Sequence, residues 1–353
     1  MTAGHEEYAQ WEADVMRELA AEEATVSASP RPNQVIDDVE VSYPYGGFET
    51  LGGMTTAKEY LRSALIAPML KPELAAAFGI GAGAHLLLWG PPGCGKTLFA
   101  RAAAAESGAA LIAVNLADIL GSYVGEDESN FARFFSVARD SAPCVIFFDE
   151  ADSLAPKRNS PGMWEIERRL TNAFLQEVDG AKSRNEGVAV ILASNQPWLL
   201  DPAMRRAGRM DEMLYIGLPD ALAREAIWRM AFQIAPSVER LDFEELAGLS
   251  KGLTGAEIVE AARRALRAAF MHSAEYDEPV PPTQLDVLQA LLDTEARSLD
   301  WFASADKTFC RENHPASRDF LAAGAFNAPN RRREWERALQ ACAVREAAEW
   351  WSE

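Results

Sequence analysis

Cysteine and histidine, which most often bind metals or cross-link a chain, are rare in this sequence. Its 353 residues include 4 cysteines and 4 histidines. The cysteines, Cys94, Cys144, Cys310 and Cys342, are widely spaced and form no CxxC pair. This spacing is typical neither of a zinc site nor of a disulfide framework, so we expect reduced thiols.

Basic residues are also scarce, and long apolar runs are missing. The chain has 34 lysines and arginines against 53 aspartates and glutamates, a formal net charge of −19. Such a charge repels nucleic-acid phosphates and anionic headgroups, which disfavours nucleic-acid remodelling. No apolar stretch approaches the roughly 20 residues that span a bilayer, and the first residues lack the basic-then-apolar order of a signal peptide. We therefore expect a cytoplasmic protein without membrane insertion.

Hydrophobic patterning divides the chain into four parts. Tyr8, Trp11, Val15 and Leu19 have helical spacing and precede the linker-like stretch SASPRPNQ. Next come alternating helical patterns and short apolar runs, then a stretch that is helical throughout, and last a tail rich in tryptophan and alanine. The predicted parts are a helical arm and linker (1–45), an α/β domain (46–219), a small helical lid domain (220–293) and a helical extension (294–353).

The apolar runs of the α/β part are brief and nearly continuous, as in strands buried on both faces of a parallel sheet. Strands that alternate with helices indicate an α/β sandwich, here followed by the all-helical lid. The predicted strands are His85–Trp89, Leu111–Val114, Cys144–Phe148 and Val188–Ala193.

A glycine-rich loop, GPPGCGKT, joins the first predicted strand to a helix. Its glycines allow backbone N–H groups to surround phosphates at a helix N-terminus. The pattern places Lys96 at the β- and γ-phosphates and the Thr97 hydroxyl at Mg²⁺. Chance matches in this strand–loop–helix context are rare, so we expect a P-loop fold that binds ATP and Mg²⁺.

Two acids, Asp149 and Glu150, directly follow the apolar run VIFF. Two acids at a strand end are by themselves consistent with a solvated cap. With the phosphate loop upstream, they indicate that Asp149 holds the Mg²⁺ shell and that Glu150 is the general base for water.

Together with the segments around them, these residues resemble the AAA family of ATPases, in the subgroup that contains Cdc48, katanin, spastin and the proteasomal ATPases. The resemblance extends over residues 47–270. It implies that FETLGGM is the adenine-side loop and that LTGAEI contacts nucleotide from the helical domain. The implied nucleotide-binding residues are Leu51, Gly52, Gly53, Pro92, Gly93, Cys94, Gly95, Lys96, Thr97, Leu98, Asp149, Gly255 and Ala256.

The resemblance also implies groups that act during hydrolysis. Asn195 corresponds to the polar sensor that orients water with Glu150, although an asparagine after a strand is otherwise a turn former. Arg206 and Arg209 correspond to arginine fingers that enter a neighbouring subunit's site. The alternative for these two is a structural role within their own domain, which is the role expected of Arg205. Fingers that act in trans imply a homo-oligomeric ring, and we expect a hexamer.

A further segment, GSYVGE, corresponds to the family's aromatic loop in the central channel of the ring. Tyr123 and Val124 would then grip a protein substrate, whereas the alternative for Tyr123 is a half-packed turn residue. Three positions depart from the family pattern in ways that affect grip and nucleotide affinity: Ser122 replaces a basic residue, Thr50 an acid and Ala231 a histidine.

The leading hypothesis is therefore an ATP-driven ring that remodels, unfolds or disassembles a protein substrate, with or without an adaptor. The alternative is a nucleotide-switched assembly or scaffold component that does not thread a substrate. The extension matches no family segment, and its tryptophans either pack on the helical domain or dock a partner. These are Trp301, Trp335, Trp350 and Trp351.

Overall fold

A computed structural model describes residues 32–80, 84–119, 126–154, 164–180, 187–206, 209–210, 212–233, 235 and 240–305. The contacts among Cα atoms divide the chain into two compact units. Within the described ranges, the first contains residues 32–50, 55–89 and 96–214, and the second contains 51–54, 90–95 and 215–305.

The first unit is built on a five-stranded sheet with the strand order β4-β5-β6-β3-β7. Three neighbouring pairs, β4–β5, β5–β6 and β6–β3, are parallel. In register, Ile146 of β5 lies opposite Ile112 of β4 and Val190 of β6. The strands are β3 (His85–Trp89), β4 (Ala110–Val114), β5 (Cys144–Phe148), β6 (Val188–Ser194) and β7 (Glu212–Tyr215).

The central strands form because their residues are apolar on both faces, and all residues of β5 and β6 are buried. Four of the phenylalanines in the core of the sheet form an aromatic cluster around the end of β5. Phe148 meets Phe174 edge to face, with ring centroids 5.3 Å apart, the geometry that aromatic quadrupoles favour. Phe131 and Phe135 pack against the same two rings.

Helices alternate with the strands of this sheet along the chain. Helix α4 is rich in alanine, and its buried alanines allow the helix to pack closely on the strands. A π-helical turn, Arg62–Ile66, lies between α1 and α2. The helices are α1 (Thr55–Leu61), α2 (Ala67–Leu70), α3 (Pro72–Ala77), α4 (Lys96–Glu106), α5 (Leu116–Ile119), α6 (Glu126–Asp140), α7 (Ala151–Leu154) and α8 (Trp164–Gly180).

The second unit is helical, and side chains cap the starts of four of its five described helices, all except the last. Asp220, Asp242, Thr254 and Thr283 each accept a backbone N–H of the following first turn. The helices are α9 (Ala221–Ala231), α10 (Phe243–Leu249), α11 (Gly255–Tyr276), α12 (Gln284–Leu292) and α13 (Ser298–Ser304).

The core of the second unit combines aromatic packing with one buried cation. Trp228 and Phe232 stack with ring centroids 6.1 Å apart. Arg224, which is 6% exposed, donates to the carbonyl oxygens of Ala247 at 2.7 Å and Pro219 at 2.9 Å. Burial lowers the pKa of the Arg224 guanidinium from its usual range, partly offset by Asp220. The guanidinium thus fixes the start of α9 to the end of α10.

The predicted parallel α/β fold followed by a helical region is confirmed, and all four predicted strands are present. A hairpin of β1 (Gln34–Ile36) and β2 (Val39–Val41) was not predicted within the helical arm and linker. Its Val39 and Val41 are buried in the core of the sheet. The helices predicted for the N-terminal arm and for the tail after residue 305 lie outside the described residues.

Candidate functional site

Polar side chains gather where the parallel strands of the first unit end. Strands β5, β6 and β3 are adjacent and parallel, so their carboxyl ends meet at one edge of the sheet. Asp149 follows β5, and Asn195 follows β6. Helix α4 begins at Lys96, and six residues separate it from the end of β3. Such an edge is where open α/β sheets bind ligands.

Lys96 and Asn195 are joined directly. The Lys96 Nζ donates to the Asn195 Oδ1 at 2.7 Å, and the Lys96 residue is only 6% exposed. A buried ammonium needs polar partners. The bond therefore orients the lysine that the sequence assigns to the phosphates toward the residue that it assigns to the water.

A second bond joins Thr97 and Asp149. The Thr97 Oγ1 donates to the Asp149 Oδ2 at 2.8 Å. A hydroxyl and a carboxylate this close form an all-oxygen donor set, which is what Mg²⁺ prefers. These two residues, the predicted metal ligands, therefore fit the ion.

Glu150 has an unusual backbone. Its φ of +51° lies in the left-handed region, which glutamate rarely adopts. Its N–H donates to the Asp149 Oδ1 at 2.9 Å, so the Glu150 backbone helps to orient the Asp149 carboxylate. Strain of this kind is often kept at functional sites because it directs a side chain.

A third acid, Asp152, was not singled out from the sequence. Its Oδ1 accepts from the Ser194 Oγ at 2.6 Å, and this hydroxyl accepts from the Gln196 N–H at 3.0 Å. These bonds fix the residues on both sides of Asn195. The pairing joins residues 42 positions apart, so local sequence patterns carry no signal for it.

In the second unit, the phosphate loop lies against the first turn of α11. The Ala256 N–H donates to the Gly93 carbonyl oxygen at 3.1 Å. A Cβ on Gly93 would lie 2.9 Å from the Ala256 Cβ and 3.0 Å from the Thr254 Oγ1. Gly93 also has a φ of +79°, so both space and conformation require glycine. The predicted contacts Gly93, Gly255 and Ala256 are thus brought together.

The rest of the loop is similarly constrained. A Cβ on Gly90 would approach the Ile216 carbonyl oxygen to 2.0 Å. The Cys94 residue is only 4% exposed, whereas Pro92 is exposed. Gly95 has a φ of +92°, a conformation that favours glycine.

The predicted adenine-side residues pack on the start of α9. A Cβ on Gly52 would lie 2.9 Å from the Ala223 carbonyl oxygen, and one on Gly53 would lie 2.6 Å from the Ala223 Cβ. Leu51 is partly buried. The Met54 Cε lies near the phosphate loop, 3.7 Å from where a Cβ on Gly95 would be. The two predicted nucleotide loops are therefore neighbours within this unit.

A buried carboxylate ties the other end of α4 to the chain just before the adenine-side loop. The Glu106 Oε2 accepts from the Phe48 N–H at 2.8 Å, and its Oε1 forms an ion pair with the Arg62 Nη2 at 2.6 Å. The Phe48 and Phe99 rings stack at 5.4 Å. Lys58 donates to the Phe48 carbonyl oxygen at 2.9 Å, and burial lowers the pKa of its ammonium. No pattern in the sequence indicates this cluster.

The predicted arginine fingers differ in environment. Arg206 is exposed and has an extended backbone. Arg209 is partly buried, and its Nη1 donates to the Ala203 carbonyl oxygen of its own domain at 2.8 Å. Arg206 is therefore the better placed of the two to reach another molecule.

Three predicted site residues remain, Leu98, Tyr123 and Val124. The Leu98 side chain, on the first turn of α4, is largely exposed at 60%. Tyr123 and Val124, the predicted pore-loop residues, lie outside the described residues, as does Ser122.

No helix in the described ranges is both long and apolar enough to cross a membrane.

Comparison with known proteins gives a family match for the part of the chain that contains the sheet. Residues 86–218 match the model of the ATPase family associated with various cellular activities (AAA). An uncharacterized AAA domain-containing protein of Schizosaccharomyces pombe is 39% identical over 259 residues, which are 72% of this chain and 33% of the relative.

Two archaeal proteins are similar to the same extent. The cell division cycle protein 48 homolog of Archaeoglobus fulgidus is 40% identical over 228 residues, 65% of this chain and 31% of the relative. Protein SAV of Sulfolobus acidocaldarius is 39% identical over 231 residues, 65% of this chain and 30% of the relative. The matches thus cover about a third of the length of each relative.

Proposed function

Because this chain belongs to the AAA family of ATPases, we propose that it forms a ring, a homo-hexamer, that uses ATP to remodel a protein substrate through a central pore. One observation carries the proposal. Two hydrogen bonds, Lys96 to Asn195 and Thr97 to Asp149, join residues that we assign to phosphate, metal and water.

In this proposal each group has a defined role. Lys96 binds the β- and γ-phosphate oxygens when ATP enters. Thr97 and Asp149 would hold Mg²⁺, which would supply neutralisation of the phosphate charge. Glu150 accepts a proton from water as the water oxygen attacks the γ-phosphorus. Asn195 orients that water, and the bond from the γ-phosphorus to the ADP oxygen breaks.

The ring is supported by the exposure of Arg206. A cation on the surface of its own subunit is available to the γ-phosphate of a neighbour, where it offsets developing charge. ATP in one subunit would then be hydrolysed only beside a second copy, which links hydrolysis to assembly.

Protein remodelling is supported by the similarity to the archaeal cell division cycle protein 48 homolog and by Tyr123 and Val124, which match the family's aromatic channel loop. The acidic charge of −19 favours a protein substrate or adaptor over nucleic acid. We place this activity in the cytoplasm, in keeping with the reduced thiols expected from the cysteine usage.

The test is the mass of the Glu150→Gln protein by light scattering, with and without ATP. This variant binds ATP without hydrolysing it, so we expect a shift to about six subunits. A monomer at every ATP concentration would overturn the ring.

The Tyr123→Ala variant separates substrate remodelling from ring assembly. Loss of substrate unfolding with intact assembly supports remodelling through the pore. Unchanged unfolding overturns it.

A further inference from the structure

The carboxylate of Glu257 is buried beside the phosphate loop, and the predicted machinery does not use it. The residue is only 7% exposed. Its Oε2 accepts from the Thr254 N–H at 2.7 Å, while its own N–H donates to the Thr254 Oγ1 at 3.2 Å. This reciprocal capping box holds the turn that begins α11. Ala256 of the same turn donates to Gly93 of the phosphate loop.

The second oxygen of this carboxylate binds the start of α13. The Glu257 Oε1 accepts from the Arg297 N–H at 2.6 Å and from the Ser298 N–H at 3.4 Å. Hydrogen bonds to a carboxylate are stronger than bonds between neutral groups, and two of the three that Glu257 accepts are short, at 2.6 and 2.7 Å. Glu257 is thus shared between two segments that are 40 residues apart in sequence.

Further contacts hold α13 in place. The Ser298 Oγ donates to the Gly252 carbonyl oxygen at 3.1 Å, and Ser298 is only 1% exposed. Trp301 and Phe302 are buried with their rings edge to face at 5.1 Å. A cavity of about 400 Å³ lies beside this junction and is lined by Gly93, Glu257 and Arg297 among others.

We propose that Glu257 is a positioning residue for ATP binding. Through Glu257, the segment Thr294–Ala305 contributes to the nucleotide site. The segment holds Glu257, Glu257 holds the turn Thr254–Ala256, and that turn sets the phosphate loop at Gly93. The inference rests on the proposed binding of ATP by this loop. It extends the site into a part of the chain beyond the family match, which ends at residue 218.

A backbone substitution tests the link without touching the loop. Arg297 has a φ of −66°, which proline adopts without strain. Arg297→Pro therefore removes the N–H that Glu257 accepts, and Arg297→Ala keeps it. We expect Arg297→Pro and Glu257→Gln to raise the Kd for the fluorescent analogue mant-ATP about tenfold. Arg297→Ala should raise it far less, and Glu260→Gln, which changes another acid at the same cavity, should leave it unchanged.

A merely structural role would lower Tm without changing the Kd of the folded protein, so binding is measured well below the Tm of each variant.

Hydrogen exchange gives an independent readout. Because coupling is reciprocal, ATP should slow exchange of the Arg297 and Ser298 amides in the natural protein and not in Glu257→Gln. Equal Kd values for Arg297→Pro and Arg297→Ala would overturn the inference. Failure of the unaltered protein to bind mant-ATP would instead overturn the proposed function.

Discussion

The Lys96 Nζ and the Asn195 Oδ1 lie 2.7 Å apart, although the two residues are 99 positions apart in sequence. Lys96 begins the phosphate helix α4, and Asn195 directly follows the central strand β6. A ligand phosphate that binds Lys96 must share the ammonium with Asn195 or replace it. The bond therefore couples phosphate binding to the residue proposed to orient water.

Two substitutions of Asn195 separate these effects. Asn195→Asp places a carboxylate against Lys96 that competes with phosphate and repels it, so we expect ATP affinity to fall about tenfold. Asn195→Ala removes the water contact without adding charge, so kcat should fall at least about tenfold with little change in affinity. Binding of mant-ATP and steady-state ATPase rates check both. Equal ATP affinity for the two variants would contradict the coupling.

The arginine finger predicts a complementation. Arg206→Ala should reduce the ATPase rate by about 10³-fold, because the γ-phosphate charge loses its partner. Glu150→Gln should be equally inactive for a different reason, the loss of the general base. Mixed together, the two should recover measurable activity, since a subunit with Glu150 then lies beside one with Arg206.

The control for this experiment is Arg205→Ala mixed with Glu150→Gln, because Arg205 is assigned the structural role. An Arg206→Ala protein that keeps full activity would show that Arg206 is no finger. Complete inactivity of the mixture, with mixed rings demonstrated by light scattering, would argue against action between subunits.

The left-handed backbone of Glu150 predicts a conflict between stability and activity. Replacing Glu150 by glycine removes the strain at φ +51°, while replacing it by alanine does not. We expect Glu150→Gly to have a free energy of unfolding about 1 kcal/mol higher than Glu150→Ala, with both inactive. Urea unfolding monitored by circular dichroism measures the difference, and a less stable glycine variant would contradict the strain.

Cys144 predicts a loss of stability at high pH. Burial raises the pKa of its thiol from 9.0 to about 12. Between these values the unfolded chain loses the proton and the folded protein keeps it, so stability falls as pH rises above 9. The unaltered protein should lose about 1.4 kcal/mol more than Cys144→Ala for each pH unit in this window.

Urea unfolding of both proteins at pH 8 and pH 10 checks this prediction. The small cavity that Cys144→Ala leaves destabilises it equally at both pH values, so only the change in the difference is informative. A difference in stability that is the same at the two pH values would mean that the thiol ionises in the folded protein as readily as in the unfolded one.

Continuous apolar runs predicted the sheet well, because strands buried on both faces, such as Cys144–Phe148, need no partner information to be recognised. The hairpin at Gln34–Val41 was missed because strands of three residues are too short to show a period. The burial of its two valines depends on the core of the sheet, which the local sequence does not reveal.

The residues of the candidate site likewise divide into those that local sequence patterns predict and those that they do not. Lys96, Thr97 and Asp149 are recognisable because one motif or one strand end fixes each of them. Asp152, Glu106 and Glu257 are not, since their partners lie 42, 58 and 40 residues away, and charged residues in helices are usually solvent-facing. What sequence reasoning missed is the set of acids that hold the recognised residues in place.

The phosphate helix α4 is held at both ends, by Asn195 and Asp149 at Lys96 and Thr97, and by Phe48 and Arg62 at Glu106. Its 11 residues span about 16 Å. A helix of that length that is hydrogen-bonded at both ends and packed through alanines resists bending. We therefore expect a displacement at Lys96 and Thr97 to be transmitted along α4 to the chain at Phe48.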